Sequence, residues 1–280
     1  MNRQEAMVKK KRLRDLIGKL DSLLVAFSGG VDSTYLLAEA WEVLGKKVVA
    51  VTATSPIHPD RELQEAVQFA RDIGVDHIVF SSEEMDSQVF LANAGDRCYH
   101  CKKGLSEKLL AIATKREIIH VAHGANMDDL GDYRPGFKAA QEAGMIAPLM
   151  EAELGKDEIR FLAKEMGLEL WNKPAMACLA SRIPYGNPIT VQTLQMVDQA
   201  EDFLRDAGFD EVRVRHHGSV ARIEVAPHRI KEMHEDPVRS ALIRTFREIG
   251  FEHVAIDLEG YKQGKMNREL TETLPDSGSD

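Results

Sequence analysis

Two spacings of apolar residues alternate along the greater part of the chain. Short apolar runs predict buried strands, and longer stretches with apolar positions at helical spacing predict the helices between them. The predicted strands cover residues 23–27, 47–54, 77–80 and 118–123. The predicted helices cover residues 1–20, 35–44, 61–74, a segment through the first two cysteines, and 156–167. Strands that alternate with helices imply right-handed crossovers, so we expect an α/β fold with a doubly wound, mostly parallel sheet.

The pattern changes near Asn187 and Pro188. The sequence then predicts a helix at 191–207, strands at 211–215, 221–225 and 254–258, and short helices before the last strand. This order is typical of a small α+β domain. From about residue 263 the chain is polar, and we expect it to be disordered. The predicted organisation is a large domain at 1–187, a small one at 188–262 and a tail at 263–280.

The composition is that of an ordinary globular protein, since 44% of the 280 residues are hydrophobic and 29% are charged. The net charge of -9 argues against a general nucleic-acid coat protein, because such binding rests on many Lys and Arg contacts to phosphates. No apolar run approaches the roughly 20 residues of a membrane span, and the charged start lacks the apolar core of a signal peptide. We therefore expect a cytoplasmic protein with no membrane partner, whose three cysteines are reduced.

The run SGGVDS, here called the glycine turn, lies between a predicted strand and a predicted helix. Gly29 and Gly30 would let the backbone approach a phosphate closely, while amides at the start of the helix point at it. Ser28 and Ser33 add hydroxyl donors, and Asp32 could help hold Mg²⁺ or cap the turn. No Gly-Lys-Ser/Thr follows the glycines, so this is not a Walker sequence. The alternative is an ordinary strand-to-helix turn that contains two glycines.

The whole string, SGGVDS after VAF, resembles the signature of the N-type ATP pyrophosphatases. That resemblance implies an adenine nucleotide α-hydrolase-like fold, in which ATP is cut between its α and β phosphates and AMP is attached to a substrate oxygen. It also implies that the end of the second strand, at Thr52, lies near the adenine and the ribose. The expected cofactors are therefore ATP and Mg²⁺.

Cys98 and Cys101 are separated by two residues, a spacing that lets both thiolates reach one metal centre. The flanking Arg97 and Lys102 would lower the thiol pKa values and offset the charge of a cluster. Cys178, far downstream, is the third cysteine of the chain. Three thiolates can hold three irons of a 4Fe-4S cluster and leave the fourth iron free for an external ligand.

Other chemistry is open to the same cysteines. His100 or His123 could complete a tetrahedral zinc site, which usually has four protein ligands. Cys98 and Cys101 could instead form a disulfide-exchange pair. Cys178 alone could be a small buried apolar residue.

A polar loop follows the predicted strand at 118–123, at the carboxyl edge of the sheet, where ligands bind in this fold class. Gly124 permits close approach of a backbone, and Arg134 could meet a phosphate. Four side chains could hold Mg²⁺ or ribose hydroxyls: Asn126, Asp128, Asp129 and Asp132. The alternative is a solvated polar loop.

Arginines complete the candidate site residues. Arg182 lies close behind Cys178 in the sequence. Arg213 and Arg215 fall on the same face of a predicted strand, because side chains repeat every two residues. Two guanidinium groups on one face suit a phosphate. Alternating arginines on an exposed strand also form an ordinary solvated face.

With these motifs in place, the chain resembles the LarE family of sulfur transferases, which act in making the nickel-pincer nucleotide cofactor of lactate racemase. The resemblance rests on SGGVDS, GANMDDLGDYRPGFKAA, the WNKP stretch before Cys178, SRIPYG, and VRVRHH followed by ARIE. It implies that ATP adenylates a carboxylate of a pyridinium biscarboxylate mononucleotide. Sulfur then replaces the activated oxygen, which gives a thiocarboxylate as AMP leaves.

The resemblance also implies roles for the cysteines. One branch of the family takes sulfur from its own cysteine, at the position of Cys178, and such an enzyme is consumed. A second branch of the family looks to use a 4Fe-4S cluster that is bound by three cysteines and carries an extra sulfide. The presence of Cys98 and Cys101 in this chain matches that second branch. All three cysteines would then be metal ligands, and the donor that supplies the sulfur is unknown.

Other parts of the chain gain roles from the resemblance. Arg182 would orient the substrate or the adenylate, and Arg213 and Arg215 would bind the phosphate of the nucleotide substrate. The first domain would carry ATP and the cysteines, and the second would serve substrate binding and assembly into a homo-oligomer, a hexamer by resemblance. The competing interpretation is a tRNA thiolation enzyme, which the acidic charge and the lack of an obvious basic face disfavour.

Overall fold

The structure is a computed structural model that describes residues 2–131, 135–174 and 177–262. Contacts divide the chain into two compact units, Met1–Phe90 with Asp96–Met176, and Leu91–Gly95 with Ala177–Asp280. Residues 177–187 therefore group with the second unit, whereas the change of pattern predicts a boundary after 187. The predicted tail lies outside the described residues.

Helices and strands alternate through the first part of the chain, as the sequence predicts. The strands are β1 (Leu23–Ala26), β2 (Val48–Thr54), β3 (Asp76–Ser81) and β4 (His120–Ala122). The helices are α1 (Arg3–Ile17), α2 (Val31–Leu44), α3 (Asp60–Ile73), α4 (Gln88–Leu91), α5 (Arg97–Lys115), α6 (Pro135–Glu142), α7 (Pro148–Glu151) and α8 (Lys156–Glu165). None of the helices in the described part of the chain has the length and apolar composition needed to cross a membrane.

The four strands form a parallel sheet in the order β3-β2-β1-β4. In its register, Val25 of β1 lies beside Ala50 of β2 and Ala122 of β4. Alternate residues of β1 face two different cores. Leu23 and Val25 pack with α1, α2 and α8, whereas Leu24 packs with α5 and α6. Helices therefore cover both faces of the sheet, and the predicted doubly wound α/β fold is confirmed.

The second unit is smaller and has its own core. It contains α9 (Val191–Asp206), β5 (Val212–His217), β6 (Val220–Val225), α10 (Val238–Ile249) and β7 (His253–Ile256). The strands lie in the order β5-β6-β7, with β5 antiparallel and β7 parallel to β6. Thr190 and Thr193 form a capping box at the start of α9, and Phe246 and Phe251 lie in the core. The predicted small α+β unit is confirmed.

Candidate functional site

The glycine turn joins the end of β1 to the start of α2. Gly29 has φ +73°, which favours glycine, and a Cβ placed there would lie 3.2 Å from the Cβ of Ala66. The Ser33 hydroxyl donates to the carbonyl of Gly30 (3.1 Å) and accepts from the amide of Ser28 (3.3 Å). The turn is thus shaped by its own side chains. The first amides of α2, which have no intrahelical acceptors, lie at its end and can meet an anion.

The loop after β4 touches the glycine turn. A Cβ on Gly124 would lie 2.9 Å from the amide nitrogen of Ser33 and 3.1 Å from its Cα, closer than a side chain tolerates. Gly124 therefore lets the two predicted site segments meet. The strand order explains why the two loops are close, since β1 and β4 are neighbouring strands whose carboxyl ends lie at the same edge of the sheet.

Replacing Gly124 with alanine is expected to displace the first turn of α2, and so to lower both stability and ATP-dependent pyrophosphate release. The added methyl group has no room, and overpacking of this kind typically costs about 1–3 kcal/mol. Gly104→Ala is the matched control, because nothing lies within 4 Å of a Cβ at that helical position. Urea unfolding and pyrophosphate release measure the two effects. Equal behaviour of the two variants would contradict the close approach.

Asp32, in the first turn of α2, is paired with a lysine that the sequence did not reveal. Its Oδ2 accepts a hydrogen bond from Lys156 Nζ at the start of α8, and the N-cap residue of α2 is Gly30, which has no side chain for a cap. Both roles predicted for Asp32, Mg²⁺ binding and fixing the loop, stay predictions. Asp32 Oδ1 is buried and has no hydrogen-bond partner among the described residues. Burial raises the pKa of Asp32, Lys156 opposes this, and the nearby Asp129 carboxylate raises the pKa further. Two neighbouring carboxylates suit a divalent cation.

Asn126 and Asp129 brace the loop after β4. Asn126 is 3% exposed, and its Oδ1 accepts from the amide of Asp128 (3.0 Å). Asp129 Oδ2 accepts from the amide of Asn126 (2.9 Å), and Asp128 accepts from the first amide of α8. These contacts brace the start of the loop, whereas Asp128 and Leu130 are exposed, and the binding of Mg²⁺ or ribose by the loop stays a prediction. The candidates Asp132 and Arg134 lie outside the described residues.

Polar side chains also fix the surroundings of the glycine turn. The buried Thr52 hydroxyl donates to the carbonyl of Phe27 (2.8 Å) and lies 2.8 Å from His77 Nε2, so it links the ends of β1 and β2 to β3. Its contact with adenine stays a prediction.

Lys173 Nζ donates to the carbonyl of Gly29 (3.3 Å). The WNKP motif contained this lysine without indicating that it reaches the turn.

Cys98 and Cys101 lie near the start of α5, three residues apart and so on the same side of the helix. Cys98 is exposed and Cys101 is partly buried. Helix α6 packs closely on this end of α5, where a Cβ placed on Gly136 would lie 3.5 Å from the carbonyl oxygen of Cys98. The two thiols are therefore presented together, as their spacing predicts.

Lys102 brings a positive charge to the same edge of the sheet. Burial lowers the pKa of Lys102, and Cys101 opposes this shift. Burial also lowers the pKa of His58, and that of His123 to about 4, and in both cases the Lys102 charge adds to the effect. The lysine of α5 and two histidines from the loops after β2 and β4 thus share one region. The sequence had indicated only that Lys102 flanks the cysteines.

Acidification is expected to destabilise the first unit through His123. Its pKa of about 4 compares with about 6.5 in an unfolded chain. As the pH falls from about 6.5 to about 4, the unfolded chain binds a proton that the folded chain does not, which lowers the free energy of unfolding by up to about 3 kcal/mol. Urea unfolding at about pH 7 and about pH 5 should show about 2 kcal/mol of this loss in the wild type and a smaller loss in His123→Gln. Equal losses in the two proteins would contradict it.

Cys178 precedes a short 3-10 turn, Leu179–Arg182, in the second unit. Arg182 donates through Nη1 to the carbonyl of Cys178 (3.1 Å), and through Nε and Nη2 to Glu201 of α9 (2.8 and 2.9 Å). Both charged side chains are wholly buried. Burial alone would raise the pKa of Glu201, but Arg182 overcomes this and the pKa falls to about 2. Arg182 thus fixes the backbone at Cys178, and its contact with substrate stays a prediction.

Arg213 and Arg215 share one face of β5, as the period of two predicts, and are only 3% and 7% exposed. Arg215 donates to the carbonyl of Ser181 (2.9 Å) and pairs with Glu224 of β6 (2.8 Å). The Arg213 guanidinium lies 4.8 Å from the centre of the Tyr261 ring, and burial and a neighbouring arginine lower its pKa. Burial excludes an ordinary solvated face. Binding of a substrate phosphate stays a prediction.

The three cysteines are divided between the units, with Cys98 and Cys101 in the first and Cys178 in the second. Within the residues that the structure describes, no three His, Cys, Asp or Glu side chains are grouped so that they could hold a metal ion. The described structure therefore presents a pair of thiols on α5.

Comparison with known proteins gives relatives that span nearly the whole chain, although no family model matches it. The chain is 44% identical over 263 residues to the uncharacterized protein slr1717 of Synechocystis sp., covering 94% of this chain and 98% of that protein. It is 38% identical over 266 residues to the pyridinium-3,5-bisthiocarboxylic acid mononucleotide synthase of Lactiplantibacillus plantarum, covering 94% and 95%. It is 26% identical over 206 residues to the glutamine-hydrolyzing GMP synthase of Aeropyrum pernix, covering 66% of this chain and 40% of that enzyme.

The parallel sheet, the glycine turn and the similarity to GMP synthase define a protein of the N-type ATP pyrophosphatase superfamily. Within that superfamily, the 38% identity to the Lactiplantibacillus synthase, over nearly the whole of both chains, determines the family. The chain belongs to the LarE family of ATP-using sulfur transferases, which confirms the resemblance read from its motifs.

Proposed function

We propose that the chain uses ATP to adenylate a carboxylate of pyridinium-3,5-biscarboxylic acid mononucleotide and then replaces the activated oxygen with sulfur. The products are a thiocarboxylate, AMP and pyrophosphate. One observation carries the proposal: 94% of the chain is similar to a synthase whose name states a bisthiocarboxylic product. The meeting of the glycine turn with the Gly124 loop supports the ATP-dependent step.

The first step is assigned to the carboxyl edge of the parallel sheet. The phosphates of ATP would lie against the first amides of α2, where Ser28 and Ser33 add hydroxyl donors. Asp32, with its buried Oδ1, and the nearby Asp129 would hold Mg²⁺, which when bound neutralises charge on the departing pyrophosphate. Lys102 would place a further positive charge near the group that is activated.

The second step is assigned to the cysteines. Cys98 and Cys101, on one side of α5, fit two ligand positions of a 4Fe-4S cluster, and we propose Cys178 as the third. When bound, such a cluster supplies an open iron position that can carry an extra sulfide. The contact of Arg182 with the Cys178 carbonyl would hold the third thiol in place. Sacrificial use of Cys178 as the sulfur donor is the second candidate, and it needs no other cysteine.

The second unit is assigned to the nucleotide substrate. Arg213 and Arg215 form a buried positive face on β5, and we propose that they bind the substrate phosphate. Assembly into a homo-oligomer, a hexamer by family resemblance, and a cytoplasmic location are parts of the same proposal.

Anaerobically reconstituted protein tests the proposal. With ATP, Mg²⁺ and the biscarboxylate mononucleotide, we expect pyrophosphate release and thiocarboxylate formation over several turnovers. Cys98→Ser should keep the pyrophosphate release but lose iron, acid-labile sulfide and repeated turnover. A wild type that releases no pyrophosphate would overturn the adenylation step. Full repeated turnover by Cys98→Ser would overturn the cluster, and a single turnover by the wild type would favour sacrifice of Cys178.

Thiolation of tRNA is the competing function within the same superfamily. It requires that tRNA binds at low salt and that pyrophosphate release depends on tRNA. We expect neither behaviour, because the net charge is -9. Stimulation of pyrophosphate release by tRNA, and not by the mononucleotide, would reverse this choice.

A further inference from the structure

A cavity of about 340 Å³ opens beside the cysteine pair, within the first unit. One wall is formed by residues that follow β3, among them Phe90, and the other by α5, through Cys101 and Gly104. Its volume is near the lower end of the range of about 300–1,000 Å³ that is typical of small-molecule sites. The cavity therefore suits a small ligand, and one wall carries a thiol.

The glycine at position 104 leaves this cavity open but lowers the stability of helix α5. It lies inside α5, where glycine is about 1 kcal/mol less favourable than alanine. Nothing lies within 4 Å of a Cβ placed on it, so the packing of neighbouring elements does not require glycine there. Position 104 follows Cys101 by three residues, on the same side of the helix. A large side chain at this position would occupy the space next to the thiol.

The walls carry charges of both signs. Lys108 Nζ pairs with Glu83 Oε1 (2.8 Å), and Glu84 accepts hydrogen bonds from the hydroxyls of Ser55 and Ser82. A zwitterion of amino-acid size can be complementary to such walls. The polyphosphate of ATP would be repelled by these carboxylates, which distinguishes the cavity from the glycine turn.

We propose that this cavity binds a low-molecular-weight aminothiol persulfide, R–S–SH, and directs its outer sulfur to Cys101. The proposal rests on the proposed sulfur transfer, for which it names the class of sulfur source. In the iron-free chain, the Cys101 thiolate forms a bond to the outer sulfur, the S–S bond of the donor breaks, and the donor leaves as the thiolate RS⁻. The transferred sulfur keeps its proton and its oxidation state, so the step needs neither oxidant nor reductant.

Iron-free, full-length protein treated with cysteine persulfide tests this inference. Mass spectrometry after alkylation locates the added sulfur atom, with the exposed Cys98 as the internal reference. We expect Cys101 to gain sulfur fastest in the wild type. Gly104→Phe should slow that gain by about tenfold or more, because the donor is no longer held against the thiol. Gly104→Ala is the matched control and should stay within about twofold of the wild type, since a methyl group leaves most of the cavity open.

A second cavity-filling variant is the control for misfolding of the first. Gly104→Leu introduces a strong helix former and should block the cavity as Gly104→Phe does. Unchanged gain of sulfur at Cys101 in both filled variants, or equal gain at Cys98 in the wild type, would overturn the inference. A raised KM for ATP in the filled variants would also overturn it, because the cavity would then belong to the nucleotide site. Pyrophosphate release by the wild type is measured separately, so failure of the proposed function and failure of the donor cavity are distinguished.

Discussion

Replacing Glu201 with methionine is expected to destabilise the second unit by about 3–5 kcal/mol, the usual cost of leaving a buried charge without its partner. Arg182 is wholly buried and directs two of its nitrogens at Glu201. Glu201 also accepts from the amide of Val214 in β5 (3.0 Å) and from Arg205 (2.6 Å). One carboxylate therefore joins α9, β5 and the turn that follows Cys178. Its loss should also lower sulfur transfer, because Arg182 would no longer be held against the backbone of Cys178.

One control for this prediction lies on the same helix, and a second changes the charged partner of Glu201. Asp202→Asn removes a partly exposed bridge to Arg205 and should cost less than about 1 kcal/mol. Adding Arg182→Met to Glu201→Met should recover part of the stability, since no buried charge is then left unpaired. Hydrogen exchange of the α9 and β5 amides is the suitable measurement, because both tryptophans, Trp41 and Trp171, lie in the first unit. Equal exchange in Glu201→Met and Asp202→Asn would show that the buried pair contributes little.

The parallel sheet could be predicted because its strands are buried on both faces and appear as continuous apolar runs. The isolated bridge between Ala122 and Ile146 could not be predicted, because a single paired residue produces no apolar run and no alternating pattern in the sequence. The grouping of residues 91–95 with the second unit could not be predicted from the sequence either. It depends on the buried Asn93, whose amide nitrogen donates to the carbonyls of Pro184 and Asn187 (2.8 Å each). One asparagine between two helical segments does not reveal a partner some ninety residues away.

The candidate site was predictable where residue type restricts the chemistry. Glycines beside a strand end and cysteines at a two-residue spacing are unusual enough to be read from the sequence alone. The charged partners were not predictable, because Lys156 and Glu201 stand on helices where most charged residues are solvated. Only the fold brings Lys156 to Asp32 and buries Glu201 against Arg182. The sequence therefore indicated the candidate site residues, and the structure was needed to find the charged residues that hold them.

Asp32→Ala is expected to lower pyrophosphate release by about 10²–10³-fold without lowering the stability of the first unit, because its proposed role is to hold Mg²⁺ for the reaction. Burial raises the pKa of this carboxyl and Oδ1 has no partner in the described structure, so its ionised form is held at a cost to the folded state. Lys156 is partly exposed and can turn to water when its partner is lost.

Asp157→Asn is the matched control for that variant, because Asp157 follows Lys156 in α8 but its side chain is exposed. Pyrophosphate release and urea unfolding, followed by the fluorescence of Trp41 and Trp171, should separate the two variants. We expect Asp157→Asn to match the wild type in both measurements, whereas Asp32→Ala loses activity and keeps or gains stability. If Asp32→Ala unfolds more easily and loses activity only in proportion, the carboxylate is a structural partner of Lys156. If it keeps full activity, Mg²⁺ is held elsewhere, and the assignment of the departing pyrophosphate to this edge of the sheet fails with it.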